Sequence, residues 1–183
     1  MEDISLHILD IAENSINAGA TLVEISLAED MDRDLFSIRI QDNGKGIPKE
    51  ILAEVLDPFY TTRTTRKIGL GLALLAQAAT ETGGTISIDS TEHGGTVVNA
   101  DFRPRHIDMK PLGNIADTLI VLIAGNPEID FVFTYSTKND SYSLDTREIR
   151  VGLEDVPINS PSVISVLRDH MKKSLHDMGK EVL

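Results

Sequence analysis

QDNGKGIP, residues 41–48, closes an alternating segment and then turns on two glycines before a proline. The glycines allow backbone to approach a flat ligand closely, and Asp42 can accept a hydrogen bond from an exocyclic amine. Alone, Asn43-Gly44 signals a plain turn. Its neighbours give it weight. Upstream, LFSIRIQ (35–41) and LVEISLA (22–28) alternate as half-buried strands do, joined by the solvated turn EDMDRD. Before them, residues 3–18 place Ile4, Ile8, Ile11 and Ser15 on one stripe of an amphipathic helix. Downstream, Pro48 opens a short helix over 48–56. A joint at Gly69 and Gly71 leads into a helix ending at Gly83-Gly84, and TISIDS (85–90) and GTVVNADF (95–102) form two more strands before Pro104.

The order helix, strand pair, helix, helix, strand pair predicts a two-layer α/β sandwich, with helices on one face of a mixed sheet, over residues 1–104. From 105 the pattern changes to a small α+β C-terminal module, 105–183. Residues 114–124 read as a helix, FVFTYS (131–136) and SYSLD (141–145) as a hairpin over Lys138-Asn139-Asp140, and Thr146 as the cap of a short helix. Ser160-Pro161 opens a long helix by the N-cap and first-turn-proline rule. Val163, Ile164, Leu167, Met171, Leu175 and Met178 share one face of it. That stripe fits packing inside the chain or a homodimer contact equally well.

A chain of 183 residues with a formal net charge of −12 does not suit sequence-independent binding to nucleic acid or to anionic membrane, both of which need clustered Lys and Arg. Arg63, Arg66 and Lys67 are the densest basic exception in the first part of the chain. No apolar stretch approaches membrane-spanning length, and the acidic, periodic N-terminus is unlike a signal peptide. Cysteine is absent, which removes disulfides and thiolate metal sites. A cytoplasmic location is expected.

Four segments could carry chemistry. On the first helix His7, Asp10, Asn14 and Asn17 follow at spacings of three, four and three, a polar face opposite the apolar stripe. An Asn carbonyl is an uncharged hard ligand suited to a Mg²⁺ whose charge phosphates already meet, and a carboxylate one turn earlier can orient or deprotonate a water. QDNGKGIP is the second segment. The third, DPFYTTRTTRKIGLGLAL (57–74), places hydroxyls, cations and glycines before a helix, where free amides favour phosphate. The fourth, HGGTVV (93–98), is a tight turn entering a strand. Singly, each also fits an ordinary solvated helix face, turn or loop. Together their order and spacing are specific.

In that order they resemble the N, G1, F/G2 and G3 boxes of the GHKL superfamily, which includes gyrase, the heat-shock chaperone, histidine kinases and mismatch-repair ATPases. The resemblance covers residues 3–103. ENSINAGA (13–20) is closest to mismatch-repair ATPases, whereas DNGKGI, DPFYTTR, GLGLAL and the GGT turn are closest to histidine kinases. It implies a Bergerat-type ATP-binding fold with ATP and Mg²⁺ as ligands. Asn14 would ligate the metal. Asp42 would receive the adenine amino group, with a water near Thr96. Gly44, Gly46, Gly69 and Gly71, with Ile47, Phe59, Leu70 and Leu72, would line the nucleotide. Arg63, Thr61 or Lys67 would reach the phosphates from a short lid.

Two departures matter. Hydrolysing members carry a glutamate four residues before the metal-binding asparagine; here that position is Asp10, one methylene shorter, with Glu13 a weaker candidate to its side. Moreover, few residues precede the N box, so no upstream phosphoacceptor helix is expected, and His7, His170 and His176 suit that role poorly. Three functions fit. One is an ATP-binding regulator whose 105–183 module couples nucleotide state to a protein partner. Another is a protein kinase acting in trans, of the anti-sigma serine-kinase or split histidine-kinase type. The third is a non-catalytic ATP-binding module.

Overall fold

The computed structural model describes residues 3–52 and 71–179. The first helix, α1 (Ile4–Asn17), begins where Asp3 accepts from the Leu6 amide at 3.0 Å. Two strands follow, β1 (Leu22–Asp30) and β2 (Leu35–Asp42). The connecting turn is held by Asp30 Oδ1, which accepts from the amides of Asp32 and Arg33. Next come α2 (Lys49–Leu52) and α3 (Gly71–Glu81), then β3 (Thr85–Ser90) and β4 (Thr96–Phe102). The remainder forms α4 (Ile115–Gly125), β5 (Asp130–Ser136), β6 (Ser141–Asp145), α5 (Thr146–Leu153) and α6 (Pro161–Asp177).

Among the described residues, six strands make one mixed sheet, ordered β3-β4-β2-β1-β5-β6. Every neighbouring pair is antiparallel except β1 with β5, which run parallel from Leu22 opposite Asp130 to Ala28 opposite Ser136. The sequence break at 104/105 is therefore spanned by the sheet: β5 and β6 continue it on the far side of β1. The alternation read in the sequence gives the sheet one apolar face. Val23, Ile25 and Leu27 lie buried beside Phe36, Ile38 and Ile40, with Val98, Ala100 and Phe102 on one side and Phe131, Phe133 and Tyr135 on the other. Residues of α1, α3, α4 and α6 join these strands in a single core. The opposite face is polar, with Arg39 donating to Asn99 and Gln41, and Ser37 to Asp101.

The C-terminal part also completes α1. The carbonyls of Pro111 and Leu112 accept from the amides of Ile4 and Ser5, at 3.0 and 2.8 Å, satisfying donors that the first turn of a helix cannot pair internally. The predicted stripe of α6 packs inside the chain, burying Leu167, Met171 and Leu175, while Arg168 and Lys172 each reach Asp117 of α4 at 3.1 Å.

Three local expectations are corrected. His7 does not lie on a solvated face; it is about 1% exposed. The cap of α5 is Asp145, which accepts from the Arg147 amide, whereas the buried Thr146 hydroxyl accepts from the Phe131 amide at 2.8 Å and pins β5 to the start of that helix. Ser160 precedes Pro161 as expected but makes no capping bond through its side chain. Among the described residues, no helix is long and apolar enough to cross a membrane.

Candidate functional site

A cavity of about 580 Å³ opens between the C-terminal half of α1, strands β2 and β4, the 43–48 loop and the 91–95 turn, with Leu72 of α3 on its wall. Its floor is apolar, from Ile11, Ile40 and Val98, except for Asp42, which is 8% exposed. Both carboxylate oxygens of Asp42 are held. Ser15 donates to Oδ2 at 2.7 Å, and the Gly44 amide donates to Oδ1 at 2.8 Å. The Ser15 hydroxyl also lies 3.2 Å from the Ile11 carbonyl. A single proton goes preferentially to the shorter, charged acceptor. Fixed in this way, the carboxylate keeps unused lone pairs for a donor inside the cavity.

The surrounding backbone is held as firmly. Ser90 accepts from the Ile47 amide and donates to the Gly95 carbonyl, each at 2.8 Å, and its oxygen lies 3.0 Å from Thr96 Oγ1. Gly46 has φ +72°, and a side-chain carbon there would fall 2.0 Å from the Thr91 carbonyl oxygen, so only glycine fits. Asn14, Asp42, Gly46, Ile47, Leu72 and Thr96, all expected from the sequence, line this one cavity. Gly44 lies buried just behind it, against Asp42 and Ala18.

Asp10 does not line the cavity. It sits one turn before Asn14, and its carboxylate abuts the start of α3, where a Cβ on Gly71 would lie 2.9 Å from Asp10 Oδ2. Glu13 is exposed. Phe59, Thr61, Arg63, Lys67, Gly69 and Leu70 lie outside the described residues. One turn before Asp10, burial lowers the His7 imidazole to about 4; Lys110 adds to this and Asp3 opposes it. Neither ring nitrogen has a hydrogen-bond partner among the described residues.

Sequence reasoning missed the role of Ser15, assigned to the apolar stripe, and that of Ser90. The signal for Ser15 was a hydroxyl on a buried stripe, since such a group needs a partner. Lys45, Glu92 and His93 also line the cavity and were not singled out, because exposed residues in turns carry no periodic signal.

Residues 2–106, more than half of the chain, match the family described as histidine kinase-, DNA gyrase B-, and HSP90-like ATPase. Similar curated proteins include a sensor histidine kinase of the NtrY-like type from Rickettsia conorii, 28% identical over 110 residues, which are 60% of this chain and 18% of that protein. The signal transduction histidine-protein kinase AfsQ2 of Streptomyces coelicolor is 35% identical over 88 residues, covering 46% of this chain and 16% of the kinase. The sensor kinase CckA of Brucella abortus is 36% identical over 80 residues, covering 43% and 8%. The chain thus spans less than a fifth of these relatives. Among solved structures, the N-terminal domain of a DNA repair protein shares the fold, with a TM-score of 0.54 at 18% identity over 79% of this chain and 53% of that one. The motif order, the single mixed sheet and the carboxylate at the base of the cavity agree with the sequence match: the chain belongs to the histidine kinase-, DNA gyrase B- and HSP90-like ATPase family.

Proposed function

We propose that this protein binds ATP together with Mg²⁺ in the cavity above Asp42 and hydrolyses it to switch a protein partner. The observation that carries the reading is the fixed carboxylate of Asp42, an acceptor held by Ser15 and Gly44 and set among Ile11, Ile40 and Val98 in the cavity. Such a floor suits a flat base bearing one amine, and the volume is that of an ordinary small-molecule site.

The donor set fits the metal as well. Mg²⁺ keeps several waters and takes only one or two protein ligands when phosphates are present, so the Asn14 carbonyl on the cavity wall suffices on the protein side. When bound, the ion would neutralise phosphate charge. The residues of the chain do the rest. Asp42 orients the base, Ile11, Ile40 and Val98 exclude water from its faces, and Thr96 holds a water beside it. Asp10, one turn from Asn14, takes a proton from the water that attacks the terminal phosphorus as the bond to ADP breaks. Residues 105–183 cap the first turn of α1 and pack α4 against it, and this is the route by which nucleotide state would reach a partner.

Calorimetric titration with Mg-ATP and measurement of phosphate release test the reading. Binding with turnover supports it; no binding at millimolar Mg-ATP overturns it. The names of the relatives favour a second reading, transfer of the phosphoryl group to another protein. Radiolabelled ATP then leaves its terminal phosphate on a protein rather than in solution.

A further inference from the structure

The cavity has two ends along α1. Beyond one, outside the cavity lining, Asp10 meets Gly71. At the other, a turn past Asn14, the Lys45 amide donates to the Ala18 carbonyl at 3.1 Å, and the His93 amide donates to the Lys45 carbonyl at 2.7 Å. Two loops that each carry a polar side chain to the mouth are thereby tied to each other and to α1. The tie is tight, because the Thr91 carbonyl fills the space where Gly46 lacks a side chain. Lys45, Glu92 and His93 are exposed yet line the cavity, whereas Asp42 lies buried at its floor. Among the described residues, the Lys45 ammonium and the His93 ring enter no hydrogen bond or ion pair.

Asp42 cannot by itself choose a base. It only accepts, and adenine and cytosine both present an amine beside a ring nitrogen. A second set of groups must act further out, where a two-ring base still has ring nitrogens and a one-ring base has ended. We propose that Lys45 and His93 read the outer edge of a purine, and that this rim makes the site prefer adenine over cytosine nucleotides. The inference rests on the ATP-site reading above. It adds selectivity, which neither Asp42 nor Asn14 supplies.

The test is the ratio of dissociation constants for Mg-CTP and Mg-ATP in wild type, Lys45→Met and His93→Asn. Met keeps the Lys45 stem. Asn tolerates the left-handed backbone of residue 93, where φ is +62°, so neither change strains the loops. A loss of triphosphate attraction weakens both nucleotides equally and leaves the ratio unchanged, as does a general loosening of the loops. The expected result is ATP binding three- to tenfold weaker in each variant, with CTP binding unchanged and the ratio reduced accordingly. A ratio equal to that of wild type in both variants overturns the rim's role while leaving the ATP site standing. Failure of wild-type protein to bind Mg-ATP removes both.

Discussion

Ser15 on the first helix and Asp42 at the end of the second strand meet at 2.7 Å, hydroxyl to carboxylate, in the floor of the cavity. A hydrogen bond to a charged group contributes about 1.5–3 kcal/mol. Ser15→Ala is expected to weaken ATP binding roughly tenfold, because the carboxylate loses its orientation but not its charge. Asp42→Asn presents an amide where an acceptor is needed and should cost more. Calorimetric titration of both variants checks the order; Ser15→Ala binding as tightly as wild type would show that Gly44 alone orients the carboxylate.

Asp10 and Gly71 bear on turnover. Asp10→Asn should leave ATP affinity within about twofold while phosphate release falls on the order of 10²–10⁴-fold, the usual contribution of a general base. Gly71→Ala places a methyl carbon against the Asp10 carboxylate and should reduce turnover by displacing it. Equal phosphate release from Asp10→Asn and wild type would remove the proton-accepting role.

His7 predicts an acid-sensitive fold. The ordinary imidazole value is 6.5, and burial lowers it to about 4 in the folded chain. Between these values the unfolded chain binds more protons than the folded one, so stability rises with pH through the window. The contribution is fully present above about pH 6.5 and is lost as pH falls towards 4. His7→Leu removes the titrating group and two unpartnered nitrogens, so its melting temperature should change less between pH 7.5 and 4.5 than that of wild type. Parallel curves for the two proteins would assign the acid sensitivity elsewhere.

Thr146 tests the seam between β5 and α5. Its hydroxyl is the acceptor for the buried Phe131 amide. Thr146→Val keeps the shape and leaves that amide unpaired, at a cost of about 1–3 kcal/mol. Urea unfolding should show a lower midpoint with an unchanged slope.

Much of this was legible in the chain. The alternation of 22–28 and 35–41 and the stripe Ile4, Ile8, Ile11 fixed two strands and a helix, because burial on one face imposes a period. Asn14, Asp42, Gly46 and Thr96 converge as their motif order implied. His7 was misread because helical spacing places it beside Asp10, whereas the fold buries it in the helix end that Pro111 and Leu112 cap. The parallel match of β1 to β5 was also invisible, since pairing between segments a hundred residues apart leaves no local mark. Lys45 and His93 stand in ordinary turn sequences, and the backbone bond that ties their two loops leaves no local mark.

That parallel match has a consequence for how the chain is made. Leu22 to Ala28 must wait for Asp130 to Ser136 before their second edge is covered. Contacts so far apart in sequence slow folding. During synthesis, therefore, an apolar strand with an open edge stands exposed while about a hundred further residues emerge, and such edges invite pairing between molecules. Chains cut short just before residue 130 should accordingly aggregate, even though every residue assigned to the nucleotide site has already been translated.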